Sequence, residues 1–313
     1  MRMHRIEQFI AVVDAGSIRG AARQLSMSQP ALSRALQQLE EELGVQLMLR
    51  GGRGVSLTEA GTTFLARARV AEAELRKATE EARRSVDDGG GFLSLGLSPV
   101  GASLLLPELA ISLRRERPKT RIRILELTPS ALLPLIRDAV IDIAVTQRTR
   151  IHLDAGLDYR PLADIHMRIA VRRGHPLLGK GTRTLHDLVD ISWLFMTAHD
   201  SADDIVSRSF LGCGLPVPLP AVHCGSYFVA LDLLAATDMV GVLPPALLRS
   251  CIKAGQLAEV VLAEPLIPIN LGLYTRTGSP LAPSAKSATD IILAISQRVA
   301  KTGILRSTAP LAV

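Results

Sequence analysis

Cysteine is scarce, with three in 313 residues, Cys213, Cys224 and Cys251. So few and so scattered, they exclude a disulfide framework. No CxxC pair or Cys/His cluster has ligand spacing, so no metal and no cofactor is expected. Aromatic residues make up only 3% of a chain that is 48% hydrophobic. Its cores are therefore built from Leu, Ala, Val and Ile, and a pocket that stacks on its ligand is disfavoured. No stretch reaches the roughly 18 uninterrupted apolar residues of a membrane span. The opening MRMHRIEQFIAVV sets basic residues before an apolar run, loosely like an export signal. Glu7, Gln8 and Asp14 break that run, and Ile6, Phe9, Ile10 and Val13 recur at helical spacing. A cytoplasmic location without membrane association is the expectation. GxSxG and GxGxxG turns are absent as well, which argues against an enzyme with an α/β catalytic domain.

The net charge is +6 and the sequence pI about 9.6, which favours polyanionic partners without naming one. The length suits two or three domains. Within Ser26–Gly44, Leu32, Ala35, Leu36, Leu39 and Leu43 form one helical stripe. Ser28 suits an N-cap, Pro30 is tolerated in a first turn, and Gly44 suits a C-terminal stop. Ser17–Leu25 reads as a shorter helix ahead of the break Ser26–Met27. Together they make a helix-turn-helix whose outer face carries Ser17, Arg19, Ser28, Gln29, Pro30, Ser33, Arg34 and Gln37 as DNA-binding candidates. Arg2, Arg5, Arg19, Arg23 and Arg34 crowd the first 34 residues, while Glu40, Glu41 and Glu42 lie at the far end of the second helix. This dipole turns its basic end to phosphate. Val45–Leu57 reads as a hairpin with a basic tip, a wing that adds Arg50 and Arg53 to the contact set.

These residues carry a resemblance. Gly16-Ser17-Ile18, Ala21-Ala22, Leu25, the run Ser28–Arg34 and Leu39-Glu40 resemble the amino-terminal signature of the LysR-type transcriptional regulators. Leu57-Thr58-Glu59-Ala60-Gly61 matches the segment that follows it there. The resemblance thins but extends over nearly the whole chain.

After Thr58 a long helix is expected to about Asp87, with Phe64, Ala68, Ala71, Leu75, Ala78 and Ala82 in a heptad seam flanked by mixed charges. A solvated helix pairing with another copy fits this pattern, and the resemblance implies the same dimerising linker. Two recognition helices would then read a two-fold related site. Asp87–Gly91 is a hinge by composition. Beyond it, strand-like and helix-like segments alternate as βαβαβ, implying a parallel sheet with helices on its faces. Gly96, Leu106-Pro107, Glu116–Pro118, Asp142–Ala144, Arg173–Leu177 and Val242–Pro244 resemble the family's effector domain. This implies two α/β lobes like those of periplasmic binding proteins. Ala236–Met239 departs from a turn that is glycine-rich in many members.

The expected fold is therefore α/β overall: an all-α winged helix-turn-helix over 1–58, a linker helix over 59–88 and an effector domain over 89–313. Lobe I covers about 92–163 and 268–301, and lobe II about 164–267, with crossings near Leu162–Ile165 and Glu264–Ile269. Ligands of open α/β sheets bind at the carboxyl ends of strands. Those ends carry Ser98, Pro99, Thr128, Pro129, Ser130, Thr146, Gln147, Thr197 and Ser226, hydroxyls and helix starts suited to a polar or anionic effector. Each Ser or Thr could equally cap its own helix. His175 and Asp142 look structural. The expected function is a transcriptional regulator acting on double-stranded operator DNA, a homodimer or homotetramer, controlled by a small-molecule effector that the resemblance implies is bound in the interlobe cleft of the carboxyl-terminal domain. RNA polymerase is a further candidate partner. The alternatives are a redox-sensing regulator using Cys213 and Cys224, a solute-binding protein and an enzyme.

Overall fold

The computed structural model describes residues 3–51, 54–85, 91–148, 156–179, 181–196 and 205–301. It forms two compact units, residues 1–92 with 134–141 and residues 93–133 with 142–313.

The first unit begins with α1 (Met3–Ala15), α2 (Ile18–Gln24) and α3 (Gln29–Leu43). A hairpin of β1 (Met48–Gly51) and β2 (Gly54–Leu57) follows, then the long α4 (Glu59–Ser85). Phe9, Ile10, Ala22, Leu32, Leu36 and Leu39 join Leu47 and Ala68 in one core, with Phe9 edge-on to Phe64 at 5.5 Å. The Ser17 hydroxyl accepts from Gly20 N at 3.1 Å and that of Ser28 from Ala31 N at 3.3 Å. Each thereby satisfies an orphan donor at a helix start. Gly44 ends α3 at φ 68°. The Thr58 hydroxyl donates to Gln46 O at 2.8 Å and accepts from Gly61 N at 2.9 Å, clamping the start of α4 to the chain before β1. That approach needs a glycine, because a Cβ on Gly61 would stand 1.9 Å from Leu47 O.

The chain continues through β3 (Phe92–Leu97), α5 (Pro99–Glu116), β4 (Arg121–Glu126), α6 (Pro129–Arg137), β5 (Ile143–Gln147) and β6 (Leu157–Ile165), with residues 134–137 of α6 grouped in the first unit. Then come β7 (Arg168–Arg172), β8 (Trp193–Phe195), α7 (Ile205–Gly212), β9 (Pro220–His223), α8 (Tyr227–Ala236) and β10 (Gly241–Leu243). The last described elements are α9 (Pro245–Lys253), β11 (Leu257–Val260), β12 (Ile269–Arg276) and α10 (Pro283–Lys301). One sheet has the order β4-β3-β5-β12-β6. β3 and β5 run parallel, whereas β12 is antiparallel to both β5 and β6. The sheet is thus mixed where the βαβαβ pattern implied a parallel one, because the late strand β12 returns between β5 and β6. The second lobe holds β10-β7-β11, all antiparallel, and the parallel pair β8-β9, joined to it by a bridge from Trp193 to Val240. Trp193 is fully buried, and its indole donates to Leu188 O at 2.9 Å. The lobes connect at His166-Met167 and through residues 261–268. These connections leave side by side, since Ile165 and Ile269 are register partners.

Gly61→Ala should cost about 3 kcal/mol of stability, as overpacking against a fixed backbone does. Gly44→Ala, which only forces a left-handed φ in open space, should cost about 1 kcal/mol. Chemical denaturation followed by far-ultraviolet circular dichroism measures both; equal losses would mean that α4 can slide away from Leu47.

Candidate functional site

The outer face of the helix pair assembles from the residues that its core leaves over. Arg19, Arg23, Ser28, Gln29, Pro30, Arg34 and Gln37 are exposed, and Ser17 and Ser33 half-buried. Arg5 does not belong to this basic face. Its guanidinium pairs with Glu42 and donates to Gln38 Oε1 at 2.9 Å. The acids at the far end of α3 also do more than set a dipole. Glu40 Oε1 accepts from Leu47 N at 2.8 Å and Met48 N at 3.0 Å, fixing the hairpin base to α3. Within that hairpin Arg50 is the register partner of Val55. Arg53 lies outside the described residues.

On α4 the expected seam divides. Phe64 and Ala68 pack in the amino-terminal core, because α4 must cover the helix trio with its first turns, so these two residues are corrected to core positions. Ala71, Leu75 and Ala78 are exposed, Leu75 at 51%. Ala82 lies further along the same helix. Of the hinge Asp87–Gly91, residues 87–90 fall outside the described residues.

In the second unit the strand ends converge. Ser98 N donates to Val145 O and Leu127 N to Leu97 O, at 2.9 and 3.1 Å, so Thr128, Ser98 and Thr146 share one carboxyl edge of the first sheet. Their duties differ. Ser98 is wholly buried, and its oxygen accepts from Gly101 N at the start of α5. Thr146 is wholly buried too. Thr128 and Ser130 are exposed and share a 3.1 Å hydroxyl contact, with Pro129 and Gln147 half-buried beside them. Ser226, in the other lobe, is exposed and caps α8 by accepting from Val229 N. Thr197 lies outside the described residues.

A family model for the bacterial regulatory helix-turn-helix protein, lysR family, matches residues 3–62. A second model, the LysR substrate binding domain, matches residues 87–295. The chain belongs to the LysR family of transcriptional regulators. It is 30% identical over 298 residues to the HTH-type transcriptional regulator GbpR of Azospirillum brasilense, covering 95% of this chain and 87% of that one. Among solved structures, full-length CbnR complexed with its target DNA superposes with a TM-score of 0.64 at 23% identity, covering 95% of this chain and 99% of that one. Full-length BenM gives 0.56 at 26% identity, over 97% and 98%.

Against this LysR background, Ala236–Met239 has its own anchor. Arg172 Nε donates to Asp238 Oδ1 at 2.6 Å. His175 Nδ1 accepts from Leu177 N, which leaves Nε2 to donate to Asp238 O at 3.0 Å. His175 is therefore a structural group, as is Asp142, whose carboxylate accepts from Ser94 N at the start of β5. All three cysteines are free. Burial pushes the Cys251 thiol up, which keeps it protonated and unreactive.

Two features escaped the sequence. A pocket of about 20 Å³, room for little more than one water, lies at the lobe connections beside His166, Arg168, Glu259 and Leu266. Arg168 and Glu259 pair there at 3.1 Å, both nearly buried. The other feature is Arg148, exposed one position beyond β5. A basic residue directly after a strand end was the available signal.

Proposed function

We propose that this LysR-family regulator binds operator DNA through α3 and the hairpin wing, self-associates along α4, and responds to a polar or anionic small molecule at the carboxyl edge of the first sheet. The observation that carries the reading is α3 itself. It is capped at both ends and tied to the wing through Glu40, while Gln29, Pro30, Arg34 and Gln37 stand exposed on its far side. A rigid helix with hydrogen-bonding groups outward and a basic amino-terminal half suits a major groove. CbnR, whose fold is shared, was crystallised on its target DNA. The linker reading rests on Leu75, a large apolar side chain left half in solvent on a charged helix. The effector reading rests on Thr128 and Ser130, hydroxyls at a strand end beside the start of α6. No helix among the described residues is long and apolar enough to cross a membrane. The relatives are transcriptional regulators, which supports a regulatory and not a catalytic role.

Arg34→Ala should weaken operator binding by about 1–3 kcal/mol, read by fluorescence anisotropy at fixed salt. Undiminished affinity in a folded variant removes Arg34 from the interface. Leu75→Lys should lower the mass measured by light scattering and, with it, operator affinity; an unchanged mass means that the seam lies elsewhere. With the effector identified from metabolites of the neighbouring genes, Thr128→Val should weaken its binding about tenfold by calorimetry, the worth of one hydrogen bond to a charged group. Operator binding without effector should stay intact, and equal effector affinity would take Thr128 out of the site.

A further inference from the structure

The sheet order β4-β3-β5-β12-β6 sets five residues in one row along the carboxyl edge. They are Thr128 after β4, Ser98 after β3, Arg148 after β5, Asn270 in β12 and Asp164 in β6. Arg148 is the one cation among the five, and several observations make it more than a solvated surface charge. Its backbone N donates to Asn270 O at 3.0 Å, which fixes the root of the side chain. Its guanidinium carbon lies 5.2 Å from the centroid of the Tyr159 ring, a cation–π placement that restrains a side chain otherwise free to sweep. The acid nearest in the row is already engaged, since Asp164 Oδ1 accepts from Asn270 Nδ2 at 2.6 Å.

The aromatic platform is itself built for this place. Tyr159 packs on Tyr274 with ring centroids 4.9 Å apart. It also lies across Gly272, where a Cβ would stand 2.0 Å from Tyr159 Cε2. Only a glycine lets the ring reach along the sheet toward Arg148. The Tyr159 hydroxyl is buried without a hydrogen-bond partner among the described residues. Burial pushes its pKa up, Arg148 pulls against that shift and Asp164 adds to it, so the group stays a protonated donor at neutral pH. A buried donor with its bond unmade is costly and stands out in a folded protein.

We propose that Arg148 and the Tyr159 hydroxyl are two donors for the carboxylate of a small organic acid, forming the charged end of the effector site. The inference rests on the effector reading above and narrows its ligand from polar or anionic to a carboxylic acid. Arg148 follows β5 and Thr128 follows β4, two strands away. Neighbouring strands lie about 4.8 Å apart, so an acid spanning both ends of the site is roughly 10 Å long. A guanidinium matches a carboxylate in geometry as well as charge, and the second donor makes the site selective for an acid over its amide.

The test uses the full-length protein with sodium adipate, sodium hexanoate and neutral hexanamide, at ionic strength held constant with sodium chloride. Saturable increases in melting temperature are expected with the two acids and none with the amide. Arg148→Gln should weaken acid binding about tenfold or more, and Tyr159→Phe, which keeps the ring, several-fold. Operator affinity without ligand should not change in either variant, and Tyr159→Phe, which removes the unpaired buried donor, should not lower the melting temperature of the ligand-free protein. Equal effects of hexanoate and hexanamide, no response to either acid, or acid binding undiminished in Arg148→Gln would overturn the assignment. The two readings fail separately. If Thr128→Val loses effector binding while Arg148→Gln does not, the effector edge stands and its carboxylate end falls. Acid binding that needs Arg148 but ignores Thr128 keeps the carboxylate end and removes the hydroxyls.

Discussion

The Glu40 carboxylate at the carboxyl-terminal part of α3 accepts from two consecutive backbone amides, Leu47 N and Met48 N. Much of the amino-terminal unit depends on this contact. Those amides open the hairpin and would otherwise be orphaned where the chain leaves the helix. By satisfying both, Glu40 fixes the wing relative to the helix that precedes it. Leu47 then offers its carbonyl to Thr58 N at 3.0 Å, and the glycine at 61 lets α4 close over it. Helix, wing and linker are thus joined through one residue's backbone. A face that reads DNA must hold its groups in register, and here rigidity comes from backbone hydrogen bonds, with exposed ion pairs secondary.

The effector unit has a comparable constraint at its lobe connections. Ile165 and Ile269 pair across β6 and β12, so both connections start from adjacent points of one sheet. The Arg168–Glu259 pair sits just beyond them, on β7 and β11 of the other lobe. Breaking a nearly buried ion pair by removing one partner is costly, so the local geometry of the connection is well defined. A ligand bound along the sheet edge can shift the molecule between states only by the difference in its affinity for them. Arg148, of the proposed effector site, stands beside one of these connections through the bond from its backbone N to Asn270 O.

The sequence was most legible where local periodicity and caps decide the structure. Ser17, Ser28 and Gly44 mark helix ends by the chemistry of their own side chains or backbone, and the apolar stripe of α3 names its buried face. Long-range pairing was not legible. β6 has Pro161 in its middle and charges on either side; only its partnership with β12, more than a hundred residues later, makes it a strand. α9 and β11 are likewise short segments stabilised by their neighbours. Arg5 looked like part of a basic patch because nothing local reveals that Glu42 reaches it across the helix trio. Phe64 and Ala68 fit a heptad as well as they fit the core, since a helix that first covers a domain and then leaves it keeps one stripe throughout.

The same ambiguity explains why strand-end hydroxyls alone do not define a ligand site. At the start of a helix a serine oxygen can satisfy a backbone amide or a bound anion, and sequence assigns the residue identically in both cases. Ser98 and Ser226 are occupied by Gly101 N and Val229 N. Whatever they contribute to recognition comes through the helix starts that they hold in place. Thr128, Ser130 and Arg148 differ because they are exposed at the same edge after the local capping bonds have been made. Recognition in such a sheet divides between groups that build the edge and groups that face outward from it. Burial together with hydrogen-bond accounting, more than residue type, tells them apart.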